Sequence, residues 1–216
     1  MKVFLSFFLV LGLLAGVKSY GQSHQKPSDY KPPKDLSKYS EATFASGCFW
    51  CMEAVFESVK GVQEAVSGFA GGKERNPTYD QVSDEKTGHA ETVQVYYDPA
   101  VVSYATLVKV YFGSQNPTQV NGQGPDEGSS YRSIIFYRTP EEKMMAERYK
   151  AEIQKNYTKP VAAQIVPFEK FWPAEKYHQD YIKRHPNEPY VLNESIPRIR
   201  RFQQKFPELI KPDQKF

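Results

Sequence analysis

Hydrophobic positions along the 216-residue chain fall into an unbroken apolar run, stretches that alternate, and stretches with a helical period. The unbroken run covers residues 3–17, behind Met1-Lys2 and ahead of Lys18-Ser19-Tyr20-Gly21. A basic start, a short apolar core and small residues at Ser19 and Gly21 predict a secretory signal peptide over 1–21, hence export to a periplasm or the outside. The run is shorter than the roughly 20 apolar residues a membrane span needs. Residues 22–40 are polar and Pro-rich and predict a flexible linker.

From Glu41 the pattern changes. Residues 41–46, 63–69, 91–97, 131–137 and 162–168 alternate or are β-branched and aromatic, as strands are. Residues 48–60 place Val55, Phe56 and Val59 on one side of a helix. Ser103 caps a helix that Gly113 closes, and Thr139-Pro140-Glu141-Glu142 opens another. A final helix is expected over 174–184. This alternation predicts one two-layer domain over 41–197. Residues 198–216, with Arg198, Arg200, Arg201 and Lys205, read as a basic C-terminal tail with a solvated helix face.

Composition adds little until the cysteines. Loss of Lys2 and Lys18 with the signal leaves basic and acidic residues nearly balanced, which gives no general case for nucleic acid or membrane binding. Gly122, Gly124 and Gly128 miss the spacing and the strand-to-helix context of a phosphate loop. The two cysteines stand together in Gly47-Cys48-Phe49-Trp50-Cys51, between a strand and a helix. At a helix start, unpaired N–H groups and the dipole favour a thiolate, so Cys48 is expected to have a lowered pKa. Cys51, three residues on, faces the same side within disulfide reach. A structural bridge over so short a loop is worth about 2 kcal/mol, against roughly 5 for a hundred-residue loop. Zinc lacks two further ligands, since His178 and His185 are wrongly spaced. Redox chemistry therefore leads, with a structural bridge and inert buried thiols as the bland readings. No cofactor or metal is called for.

Longer motifs narrow the chemistry. Gly47-Cys48-Phe49-Trp50-Cys51, Gly68-Phe69-Ala70-Gly71-Gly72, Asn76-Pro77-Thr78-Tyr79 and Thr87-Gly88-His89-Ala90-Glu91 occur in order. Gln123-Gly124-Pro125-Asp126-Glu127-Gly128, Tyr131-Arg132-Ser133 and Tyr177-His178-Gln179-Asp180-Tyr181 follow. Over about residues 42–190 the chain resembles the peptide methionine sulfoxide reductase A family. The resemblance implies an α+β fold, a single-domain two-layer sandwich on a mixed β-sheet with a ferredoxin-like core. It implies reduction of the S epimer of methionine sulfoxide, free or in oxidised proteins, and recycling by a thioredoxin-like reductant. It also implies Cys48 as nucleophile, Glu91 as acid, Tyr79, Tyr131 and Asp126 around the sulfoxide oxygen, and Phe49 and Trp50 around the methyl.

The chemistry asks for such a set on its own account. Sulfoxide oxygen leaves as a strong base unless protonated, which calls for a carboxylic acid with a raised pKa. Tyrosine hydroxyls can donate to the developing oxyanion. Three departures from the family pattern stand out. Val191 stands where many members carry a resolving cysteine, and Cys51 replaces the glycine common after Phe-Trp, which moves the resolving role to Cys51. Gln115-Asn116 replaces a frequent His-Asp pair. His178 is read as a helix-surface residue outside the catalytic set. A thiol–disulfide oxidoreductase and a non-catalytic binding module with a structural bridge remain as alternatives.

Overall fold

The computed structural model describes residues 26–216, so the expected signal peptide over 1–21 lies outside the described residues. Strand β1 (Ser40–Ala45) buries its last four residues because Ala42, Phe44 and Ala45 are apolar and Thr43 is small. It leads into helix α1 (Phe49–Glu57), then strand β2 (Val62–Ala70), helix α2 (Tyr79–Ser83) and strand β3 (Ala90–Tyr97). Helix α3 (Tyr104–Gly113) and a hairpin of strands β4 (Gly122–Gln123) and β5 (Asp126–Glu127) precede strand β6 (Ile134–Tyr137). Helix α4 (Pro140–Gln154), strands β7 (Gln164–Pro167) and β8 (Phe171–Pro173), and helices α5 (Tyr181–Arg184) and α6 (Ile196–Lys205) complete the fold.

Six strands form one sheet in the order β7-β6-β1-β3-β2-β8. Only the β6–β7 pairing is parallel, so the sheet is mixed. The alternation of strand side chains sorts the apolar residues onto two faces. Phe44, Val93, Val95 and Ile135 join α1, α3 and α6 in the main core, while Ala45, Ile134 and Phe136 form a smaller cluster with Val166 and Phe168. Helix α1 is apolar and buried nearly throughout, which fixes its first turn rigidly at the end of β1. No described helix is long and apolar enough to cross a membrane.

Four expectations need correction. Tyr131 ends a 3₁₀ turn (Ser129–Tyr131) rather than opening a strand, because Glu85 accepts the backbone N–H groups of Ser129 and Ser130 at 2.9 Å and bends the chain there. The expected helix over 174–184 is broken into a 3₁₀ turn (Lys176–His178) and α5, with Asp180 between them at φ 52°. Residues 198–216 are not a loose tail. Ile199, Phe202, Phe206 and Ile210 are buried in the main core, and the boundary expected at 197 falls inside α6. Arg200, Arg201 and Lys205 do stay solvated. Of the expected linker, Ser28 donates to Ala174 O at 2.8 Å and Leu36 is buried, so its described part lies along the body of the domain.

Candidate active site

The β1–α1 junction sets the site. Gly47 takes φ +63°, and a Cβ there would sit 2.4 Å from Gln123 Cβ, so only glycine lets the chain turn this tightly under the β4–β5 hairpin. Its N–H donates to Tyr131 O at 3.0 Å, which draws Tyr131 against the turn. Cys48 is the N-cap of α1 and Phe49 its first residue. The orphan N–H of Phe49 donates to Glu91 Oε2 at 2.9 Å, and that of Cys48 to Asp126. Two carboxyl groups from distant strands are thereby pinned to the first turn of one helix.

Seven of the eight residues expected at the site line one cavity of about 270 Å³: Cys48, Phe49, Trp50, Tyr79, Glu91, Asp126 and Tyr131. Thr78 and Gln81 form a capping box that starts α2 and sets Tyr79 on the rim. Glu91 enters from the second position of β3, paired with Phe69, and is 2 % exposed. Burial pushes its carboxyl up to about 8, against the opposing hydrogen bond from Phe49 N–H. Burial likewise raises the hydroxyls of Tyr79 and Tyr131, so both are protonated donors.

The eighth residue, Cys51, lies behind. Its thiol is hydrogen-bonded to that of Cys48, and Cys51 Sγ donates to Ser195 Oγ at 3.2 Å. Cys51 also lines a second cavity of about 420 Å³ with Arg198. The hydrogen bond from Cys48, then Arg198 and Ser195, bring the Cys51 thiol down to about 7 against its burial. Cys48 is instead pushed up by burial and by its neighbours Cys51, Glu91 and Asp126. This corrects the expectation of a lowered Cys48. Two carboxyls take the helix N–H groups that would have favoured its thiolate.

Four residues at the site were not expected there. His178 is 1 % exposed, and burial drops its pKa to about 4, so the ring is neutral. Its Nδ1 accepts from Trp50 Nε1 at 3.1 Å, and Trp50 stacks on Tyr181 at 3.7 Å. His178 thus fixes the aromatic wall and is no surface residue. Tyr190 lines both cavities and donates from Oη to Asp126 Oδ2 at 2.7 Å. Ser195 ends a π-helical turn (Val191–Ser195) that aims it at Cys51. Arg198 is held by Ser114 O at 2.8 Å and Ser46 O at 3.1 Å. Val191 is fully buried, so the position where a resolving cysteine would stand is core.

Elsewhere among the described residues, carboxylate oxygens of Glu53, Glu57 and Asp180 lie within 4.8 Å of one another. Lys183 Nζ sits 2.6 Å from Glu57 Oε2 and 2.9 Å from Asp180 Oδ1, supplying the positive charge a metal would bring.

Comparison with known proteins finds relatives that match most of the chain. A methionine sulfoxide reductase of Thermus thermophilus is 44 % identical over 171 residues, 79 % of this chain and 97 % of that protein. A second from Synechocystis is 42 % identical over 187 residues, 85 % of this chain and 87 % of its own length. The crystal structure of Mxr1 from Saccharomyces cerevisiae in reduced form superposes with a TM-score of 0.66 at 32 % identity, covering 74 % of this chain and 90 % of that one. Methionine sulfoxide reductase A of Corynebacterium diphtheriae gives a TM-score of 0.65 at 28 % identity, with 76 % and 83 % covered. Residues 40–210 match the family described as peptide methionine sulfoxide reductase, and with that coverage the chain belongs to this family of oxidoreductases.

Proposed function

We propose that the chain reduces methionine-S-sulfoxide, free or in oxidised proteins, at Cys48 and resolves the product through Cys51. The observation that carries this reading is one small cavity holding a thiol, an aromatic wall and a carboxyl group that keeps its proton at neutral pH. Phe49 and Trp50 give the substrate methyl an apolar seat, and Tyr79, Tyr131 and Asp126 surround the oxygen. Cys51, the more acidic of the hydrogen-bonded pair, is the thiolate that accepts the Cys48 proton as the Cys48 sulfur attacks the sulfoxide. Glu91 protonates the sulfoxide oxygen, and the oxygen transfers to Cys48 as a sulfenic acid while methionine leaves. Cys51 Sγ then attacks Cys48 Sγ, the S–S bond forms and water departs.

A thioredoxin-like dithiol must return two electrons and two protons to that disulfide. Export follows the reading of residues 1–21. The succession β1-α1-β2-β3-α3-β6, with strand order β6-β1-β3-β2, supports a ferredoxin-like core within the mixed sheet.

The test is intact mass of the reduced protein with one equivalent of L-methionine-S-sulfoxide and no reductant. Loss of two hydrogens, release of methionine and a Cys48–Cys51 bridge in the peptide map are expected. A folded protein with unchanged mass and no methionine would reject the reading.

A further inference from the structure

The two cysteines open onto different cavities. Cys48 lines the one of about 270 Å³ and Cys51 the one of about 420 Å³, and neither residue lines both. Asp126 and Tyr190 line both cavities, and the Tyr190 Oη–Asp126 Oδ2 hydrogen bond of 2.7 Å closes the partition between them. The walls differ in chemistry. The Cys48 side is aromatic, with a protonated carboxyl, and suits a neutral thioether oxide. The Cys51 side carries Arg198, Arg201 and Lys205 from α6, against the carboxyls of Glu194 and Asp126. Arg201 and Lys205 are exposed at its mouth. A mouth with excess positive charge draws in anions, and the reactive form of a thiol is its anion.

Resting on the reading that a Cys48–Cys51 disulfide forms, we propose that the second cavity is the entry for the reductant. An external thiolate passes α6 and attacks Cys51 Sγ, while sulfoxide uses the Cys48 cavity alone. A bond forms between the incoming sulfur and Cys51, and the Cys48–Cys51 bond breaks. Cys48 leaves as a thiolate at the start of α1 and takes a proton from water entering the cavity it shares with Glu91. A second thiol of the reductant then attacks its own bonded sulfur and releases Cys51 as a thiolate. The reductant is oxidised to a disulfide and the enzyme pair is reduced. Product methionine in the first cavity does not block this approach.

The test begins with the full chain oxidised by one equivalent of L-methionine-S-sulfoxide, its disulfide verified by mass. Two probes are then added separately: 2-mercaptoethanesulfonate, and a dithiol reductant protein retaining only its attacking cysteine. Acid quenching within the first turnovers and fragmentation of the peptide locate each adduct. Both arms are expected to load Cys51, leaving Cys48 free. With mercaptoethanesulfonate, Arg201→Glu with Lys205→Glu is expected to slow loading several-fold. High salt is expected to slow the unaltered protein the same way, which covers a variant that fails to fold. An adduct on Cys48 in either arm, or none on Cys51, overturns the proposal while leaving the disulfide reading intact. Failure of sulfoxide to generate the disulfide overturns both.

Discussion

Glu91 is held between two influences, burial that favours its neutral form and the Phe49 N–H that favours its charged form. Burial wins, and the proton stays until about pH 8 with Asp126, Tyr79, Tyr131 and the Cys48 thiol facing the same site and the Cys51 thiol behind it. As the acid, Glu91 works below that pH and fails above it. Single-turnover methionine formation is therefore expected to fall as pH rises past about 8. Glu91→Gln, which fills the same space without an ionisable proton, is expected to cost on the order of a hundredfold to ten-thousandfold. Equal rates for the variant and the unaltered protein would remove the acid role. At this scale the ordered motifs gave away seven cavity residues and Cys51. His178 stood in one of those motifs and was still read as a surface residue, and Tyr190, Ser195 and Arg198 went unmarked. The bonds Trp50–His178 and Cys51–Ser195 span 128 and 144 positions, and pairings so distant leave no local spacing to read.

At the scale of elements, strands and helices with a full apolar period were legible, and those with a diluted one were not. Helix α6 (IPRIRRFQQK) carries its apolar stripe on Ile196, Ile199 and Phe202 among arginines and glutamines, so charge dominated its sequence while a single face entered the core. Strand β8 contains a proline and is three residues long, too short to alternate visibly. The break before α5 depends on Asp180 in the left-handed region, a conformation that its neighbours in sequence do not announce. Burial makes α6 part of the fold's stability. Phe202→Ala is expected to destabilise the domain by about 3–5 kcal/mol, as large-to-small changes in cores do. Urea unfolding with an unchanged slope would register it, whereas a loss below about 0.5 kcal/mol would return α6 to the status of an attached tail.

For the molecule as a whole, buried carboxyls set the response to pH. Burial raises Glu53 strongly, Glu57 to about 7 and Glu91 to about 8, from an ordinary value of 4.5. Between about pH 5 and 7 the unfolded chain has released these protons while the folded chain still holds that of Glu91 and releases that of Glu57 only toward pH 7, so stability falls as pH rises. His178, lowered to about 4 from 6.5, acts in the opposite direction with one proton. The raised carboxyls outweigh the lowered histidine and leave a net fall, at most about 1.4 kcal/mol per pH unit for each net proton. Denaturation midpoints at pH 5 and pH 7 should show the protein more stable at pH 5, and the reverse order would place these carboxyls as ions in the folded state.

The cysteine pair occupies a single turn of α1, and the chain beyond Tyr190 is packed into the core around Val191, Ile199 and Phe202. A bridge between the two cysteines, on the proposed reading, calls for no outlying segment to swing in. On that reading the record of a turnover is kept in one helical turn, and a rescuer drawn to the basic mouth reads it only at the sulfurs themselves.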